Sequence, residues 1–189
     1  MNRPLIPLLL LALAACGPAN RPVVYHTLRA GAPGAPDRIE DLPLIVGPAR
    51  FPDVLDRPQI VTGAGDGTVV LSETHRWASA LEQDFLKVLA EDIGAQLGSH
   101  RVSAWGFVAP AASPFRVRLD VLRFQGQLGG NLDLKVHWIL QAPTGKVKAE
   151  RVSVITEPVK GQGYEALVAA HGKAVEVLAA EIATEARKR

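Results

Sequence analysis

Cysteine occurs once in the 189 residues, at position 16, so no disulfide can close within the chain and a cross-linked secreted scaffold is excluded. Neither sign of charge prevails: 21 Lys and Arg stand against 19 Asp and Glu, and a formal charge of +2 supplies no field that would gather nucleic acid. Aromatic residues are scarce at 5%, which leaves aliphatic side chains to build most of the core. Beyond Leu5 to Ala15, no apolar run approaches the ~20 residues that a membrane-crossing helix needs. Signatures of chemistry are missing too. There is no Gly-x-Ser-x-Gly elbow, and the glycine-rich stretch Gly63-Ala64-Gly65-Asp66-Gly67 lacks a Lys-Ser/Thr ending and leads into a strand, as a turn does. The histidines His26, His75, His100, His137 and His171 include no i, i+4 pair. From spacing alone, no catalytic residue, metal site or cofactor is expected.

What is present begins with the leader. A positive start at the α-amino group and Arg3, an apolar core and the small residues Ala14 and Ala15 read as a secretory signal over residues 1–15. Leu13-Ala14-Ala15-Cys16 resembles a bacterial lipobox. That resemblance implies cleavage before Cys16, diacylation of its thiol and acylation of the new α-amino group. Each buried methylene contributes ~0.8 kcal/mol, so one acyl chain binds marginally and two or more bind firmly. Residues 16–22 then form a short lipidated tether, and 23–189 a single periplasmic domain with enough apolar residues for one core. Gly17, with no Asp after the cysteine, matches lipoproteins sorted to the outer membrane, and its periplasmic face is the expected location.

The periodicities predict an α+β fold, a mostly antiparallel sheet with two amphipathic helices packed on one face. Val23 to Leu28 and Leu44 to Gly47 read as strands, and Gln59 to Thr62 with Thr68 to Leu71 as a hairpin. Strict alternation from Phe115 to Val121, slipping in phase at Leu122 and Arg123, predicts a bulged strand. It heads an antiparallel meander completed by Leu132 to Leu140 and Val147 to Thr156. Leu81, Phe85, Leu89, Ile93 and Leu97 recur every four positions, behind the capping-box pattern Ser79-Ala80-Leu81-Glu82. The opposite helix face, with Glu82, Asp84, Lys87, Glu91 and Asp92, is expected to be solvated. A second helix from Tyr164 carries the stripe Leu167, Val168, His171, Val175, Leu178 and Ile182, with His171 packed and hydrogen-bonded inside.

Two stretches set stiff or bulky groups beside charges: Phe51 to Ile60, and His75-Arg76-Trp77. One reading is structural, with Asp56 and Arg57 pairing locally and Trp77 closing the core at the helix entrance. The other is a partner-docking surface made of Asp56, Arg57, Gln59, Arg76 and Trp77, since Arg and Trp dominate protein interfaces.

The same stretches carry a family resemblance. Tyr25-His26-Thr27-Leu28, Leu55-Asp56-Arg57-Pro58-Gln59-Ile60-Val61, His75-Arg76-Trp77-Ala78, the strand Arg116 to Phe124, and a final helix with Tyr164, Leu167, Val168 and Ile182 occur in an order similar to the ABC-type transport auxiliary lipoprotein family, which includes the PqiC-like subunits of membrane-integrity transporters. The resemblance implies a role without a reaction. It implies an outer-membrane lipoprotein working with an MCE-domain periplasmic protein, an ABC permease and an ATPase that move phospholipid or other apolar molecules between membranes, with a homo-oligomeric ring left open. The alternatives are a lipid-binding module that holds substrate itself, which requires an apolar cavity between sheet and helices, and a periplasmic hydrolase.

Overall fold

The computed structural model describes residues 21–31, 42–63, 66–106 and 114–188; Cys16, the leader before it and most of the tether lie outside them. The elements follow the order β1 (Val24–His26), β2 (Leu44–Arg50), a 3-10 turn (Asp53–Leu55), β3 (Gln59–Gly63), β4 (Val69–Trp77) and α1 (Leu81–Leu97). After them come β5 (Val102–Ala104), β6 (Phe115–Gly126), β7 (Asn131–Gln141), β8 (Val147–Pro158) and α2 (Tyr164–Arg187).

Alternating side chains can bury only one face of a strand. In β6 that face carries Val117, Leu119 and Val121, and in β7 Leu132, Leu134, Val136, Trp138 and Leu140. These two strands and β8 form the expected antiparallel meander. The phase slip is a bulge: Val121 pairs with Val136 and Arg123 with Lys135, leaving Leu122 unmatched and exposed. On its other edge β6 takes two partners, both parallel, with β2 beside its first half and β3 at Gly126. The path β1-β4-β3-β6-β2-β5 and the appended β7 and β8 complete an eight-stranded sheet. The hairpin β3-β4 is antiparallel as expected, whereas β1 lies parallel to β4 and β5 parallel to β2.

Both helices cover the apolar face, α2 over β6, β7 and β8, and α1 over β2 and β5, and they pack against each other. Phe85, Phe124, Trp138, Leu89, Ile93 and Leu167 fill the interlayer, each essentially inaccessible to solvent. Burial of each such side chain contributes about 1.5–3 kcal/mol. The one polar atom of the Trp138 ring is satisfied, because its Nε1–H donates to Ser153 Oγ across 2.9 Å and that hydroxyl in turn donates to Glu181.

α1 ends at Gly98, whose φ of 65° places it in the left-handed region where its N–H meets the carbonyls of Ala95 and Gly94. Its start corrects the sequence reading. Ala80 is the N-cap and no side chain caps the helix; the Ser79 hydroxyl donates instead to Asp84 Oδ1 at 2.6 Å. The capping box fails because Ser79 lies one residue too early to reach the first free N–H groups.

Candidate functional site

β1 and β4 run parallel with Val24 opposite His75 and His26 opposite Trp77. His26, His75 and Trp77 therefore share one face of the sheet, the face that meets α2. His26 Nε2 lies 2.9 Å from His75 Nδ1, so one ring donates its hydrogen and the other accepts. His75 stacks on Tyr164, the first residue of α2, with centroids 4.1 Å apart and planes within 16°. Its backbone N–H donates to Ser72 Oγ, which further fixes its position. The next residue of α2, Glu165, brings its carboxylate to the same place. The His26, His75 and Glu165 ligand atoms lie within 4.8 Å of one another.

Glu165 is exposed and stands in the first turn of α2, where the helix dipole favours an anion. Burial, reinforced by the neighbouring His75, holds the His26 pKa below the ordinary imidazole value, with Glu165 opposing. A groove of about 560 Å³ opens at this point, lined by His26 and Glu165 together with Tyr25, Arg29, Gly172 and Lys173. Helical spacing gave no sign of this cluster, since its members come from two strands and a helix. The usable signal was the two-residue alternation that places His75 and Trp77 on one face.

The segment after β1 leaves this groove between the helices. Gly31 N–H donates to Asp92 Oδ1 at 2.8 Å, and a β-carbon on Gly172 would meet the Arg29 carbonyl at 3.0 Å. Asp92 corrects a second expectation. It is 3% exposed rather than solvated, and its Oδ2 has no partner among the described residues. Burial raises its pKa to about 6, Glu176 and Glu91 add to the rise, and the Gly31 N–H and Lys173 oppose it.

Behind the cluster, the Trp77 ring meets His171 edge-on at 5.4 Å and His171 meets Phe124 at 4.6 Å. His171 is buried as expected, its Nδ1–H donating to the Leu167 carbonyl at 2.8 Å, and burial depresses its pKa to about 4 against opposing backbone hydrogen bonds.

The residues named for docking are only partly brought together. A second groove, of about 570 Å³, runs past Phe51, Asp56, Arg57 and the Ser79-Ala80 approach to α1, with Trp77 in its floor. Asp56 is exposed, Arg57 half-buried, and Trp77 only 4% exposed, so its ring belongs to the core. Among the described residues no ion pair joins Asp56 to Arg57, and the buried Arg57 Nε has no partner. Gln59 and Arg76 face each other across β3 and β4, and the Arg76 Nε is likewise unpartnered. His137 is half-exposed and bonded to Glu150 at 2.8 Å.

An eight-stranded sheet with two helices on one face, fed by a short parallel strand, defines an α+β class that solved structures share. One crystal structure of an uncharacterised protein superposes with a TM-score of 0.71 at 20% identity, covering 87% of this chain and 99% of its own. A DUF330 protein from Xanthomonas campestris gives 0.67 at 15% identity, over 88% and 97%. At these identities the likeness is one of fold. No curated protein matches the chain. Residues 26–183 match the family described as the ABC-type transport auxiliary lipoprotein component, and the chain belongs to that family.

Proposed function

We propose that this family member is a non-enzymatic lipoprotein on the periplasmic face of the outer membrane, the auxiliary subunit of an MCE-type ABC system that carries phospholipid or other apolar molecules between membranes. The family match over residues 26–183, directly behind a leader with the Leu13-Ala14-Ala15-Cys16 order, carries this reading. Acyl chains on Cys16 hold the domain at the bilayer through a tether of a few residues, and a protein surface captures the end of the MCE conduit. The groove beside Asp56 and Arg57 supports that assignment, because it sets an exposed carboxylate next to a guanidinium whose buried Nε has no partner among the described residues. The densely filled interlayer favours capture over holding substrate inside the domain, since a lipid-storing fold needs an apolar cavity there.

The test is fractionation of native envelopes with photo-crosslinking from position 56. Outer-membrane recovery of a triacylated chain, joined to an MCE-domain protein, is the expected result. A mature product with an unmodified Cys16, or crosslinks confined to proteins unrelated to an ABC system, overturns the reading.

A further inference from the structure

Three ligand-bearing side chains converge from separate elements at the mouth of the first groove, and none is used by the docking reading. His26 ends β1, His75 lies near the end of β4, and Glu165 is the second residue of α2. We propose that His26, His75 and Glu165 form a binding site for a divalent late transition-metal cation, Zn²⁺ being the natural probe, which clips β1 to β4 and α2.

The donor set suits such an ion: two imidazole nitrogens and one carboxylate are the ligands zinc takes in three-ligand sites, with a fourth position left to water or another group. Here the fourth position faces the groove of about 560 Å³. The distances fit with small movement. Zn–N bonds of about 2.0–2.1 Å at a tetrahedral angle set the two nitrogens about 3.3 Å apart, and His26 Nε2 and His75 Nδ1 start at 2.9 Å. The carboxylate, within 4.8 Å of both, closes the third side by a side-chain rotation.

The two facing nitrogens hold one hydrogen between them. On metal binding, the donating ring moves that hydrogen to its other nitrogen by exchange with water, and both lone pairs then point at the cation. No proton is lost overall from two neutral rings. The stack on Tyr164 and the Ser72 contact hold the His75 ring in place before the ion arrives. The consequence is mechanical. β1 has three residues and, among the described residues, one neighbouring strand, and a cation bound to the native arrangement alone stabilises it by linkage.

The proposal is independent of the transport reading and is tested without it. The full chain in detergent is stripped with chelator and titrated with ZnCl₂, and with CoCl₂ for its visible absorption. One equivalent bound at micromolar or lower concentration, a tetrahedral cobalt spectrum and a raised Tm are expected. His75→Phe, which keeps the ring stack and removes the nitrogen, weakens binding about tenfold or more, and so does Glu165→Gln. Retention of wild-type affinity in His75→Phe, which would locate the ion at another histidine, overturns the site, as does the absence of stoichiometric binding to the wild-type chain. Circular dichroism confirms that each variant is folded before it is scored.

Discussion

Asp92 of α1 accepts the backbone N–H of Gly31 across 2.8 Å and is thereby the buried group that pins the segment after β1 to the first helix. The hydrogen bond is favourable, but the carboxylate's second oxygen is buried without a partner among the described residues, with Glu176 and Glu91 adding like charge. With a folded pKa of about 6 against an ordinary value of 3.8, the protonated form is the one folding favours. Its contribution is full below the unfolded value, about pH 4, and is lost as the pH rises through about 6.

Asp92→Asn keeps an oxygen for Gly31 and removes the charge. At pH 7.5 the variant is expected to be more stable than wild type by about 2 kcal/mol, and at pH 4 by nearly nothing. Urea unfolding at the two pH values checks this; an equal difference at both means that charge burial is not the cause.

His171 gives the opposite slope. Its folded pKa of about 4 lies below the ordinary 6.5, so its contribution is present above pH 6.5 and is lost as the pH falls toward 4. The full span corresponds to about 3 kcal/mol. His171→Gln, which retains a donor for the Leu167 carbonyl, costs packing at neutral pH and flattens the acid limb of the stability curve. Tm measured in half-unit pH steps reads both effects.

Gly47 has a φ of 116°, and a β-carbon there would come within 2.7 Å of the Trp105 β-carbon. Gly47→Ala therefore meets backbone strain and a clash together, and a loss of about 2 kcal/mol or more is expected. Gly67 is the control, since its φ is also positive, at 91°, but no atom lies within 4 Å of the added carbon. Gly67→Ala should show the strain alone and a smaller loss by chemical denaturation.

The docking groove separates structural from binding roles by residue. Trp77→Ala empties a core position and is expected to cost about 3–5 kcal/mol. Asp56→Ala leaves stability within about 0.5 kcal/mol, as a surface change does, while weakening partner capture. Thermal melts and pull-downs run on the same preparations distinguish the two. A large stability loss in Asp56→Ala places that residue among the structural ones.

The meander, the bulge at Leu122 and both helices were legible because each is a local pattern of period two or 3.6. The parallel contacts β1-β4, β2-β5 and β2-β6 were not, because alternation shows that a residue faces inward but does not identify its neighbour. Three-residue strands such as β5 are too short to leave a pattern. Asp92 was misread for a physical reason: α1 is covered by α2 and the Gly31 segment as well as by the sheet, so its apolar stripe understates its buried width. The His26-His75-Glu165 cluster was illegible for the same reason as the parallel strands, since it exists only once β1 lies beside β4.

That brief strand also decides how the molecule bears load. Tension entering from the N-terminal side meets β1 first, held to β4 by the backbone bonds of a three-residue parallel ladder. If they yield, the His26 carbonyl on Ala78 N–H and the Gly31 amide on Asp92 take up the pull next, while the meander under α2 is left undisturbed. The N-terminal entry of the fold is thus fastened by contacts separate from those of the meander.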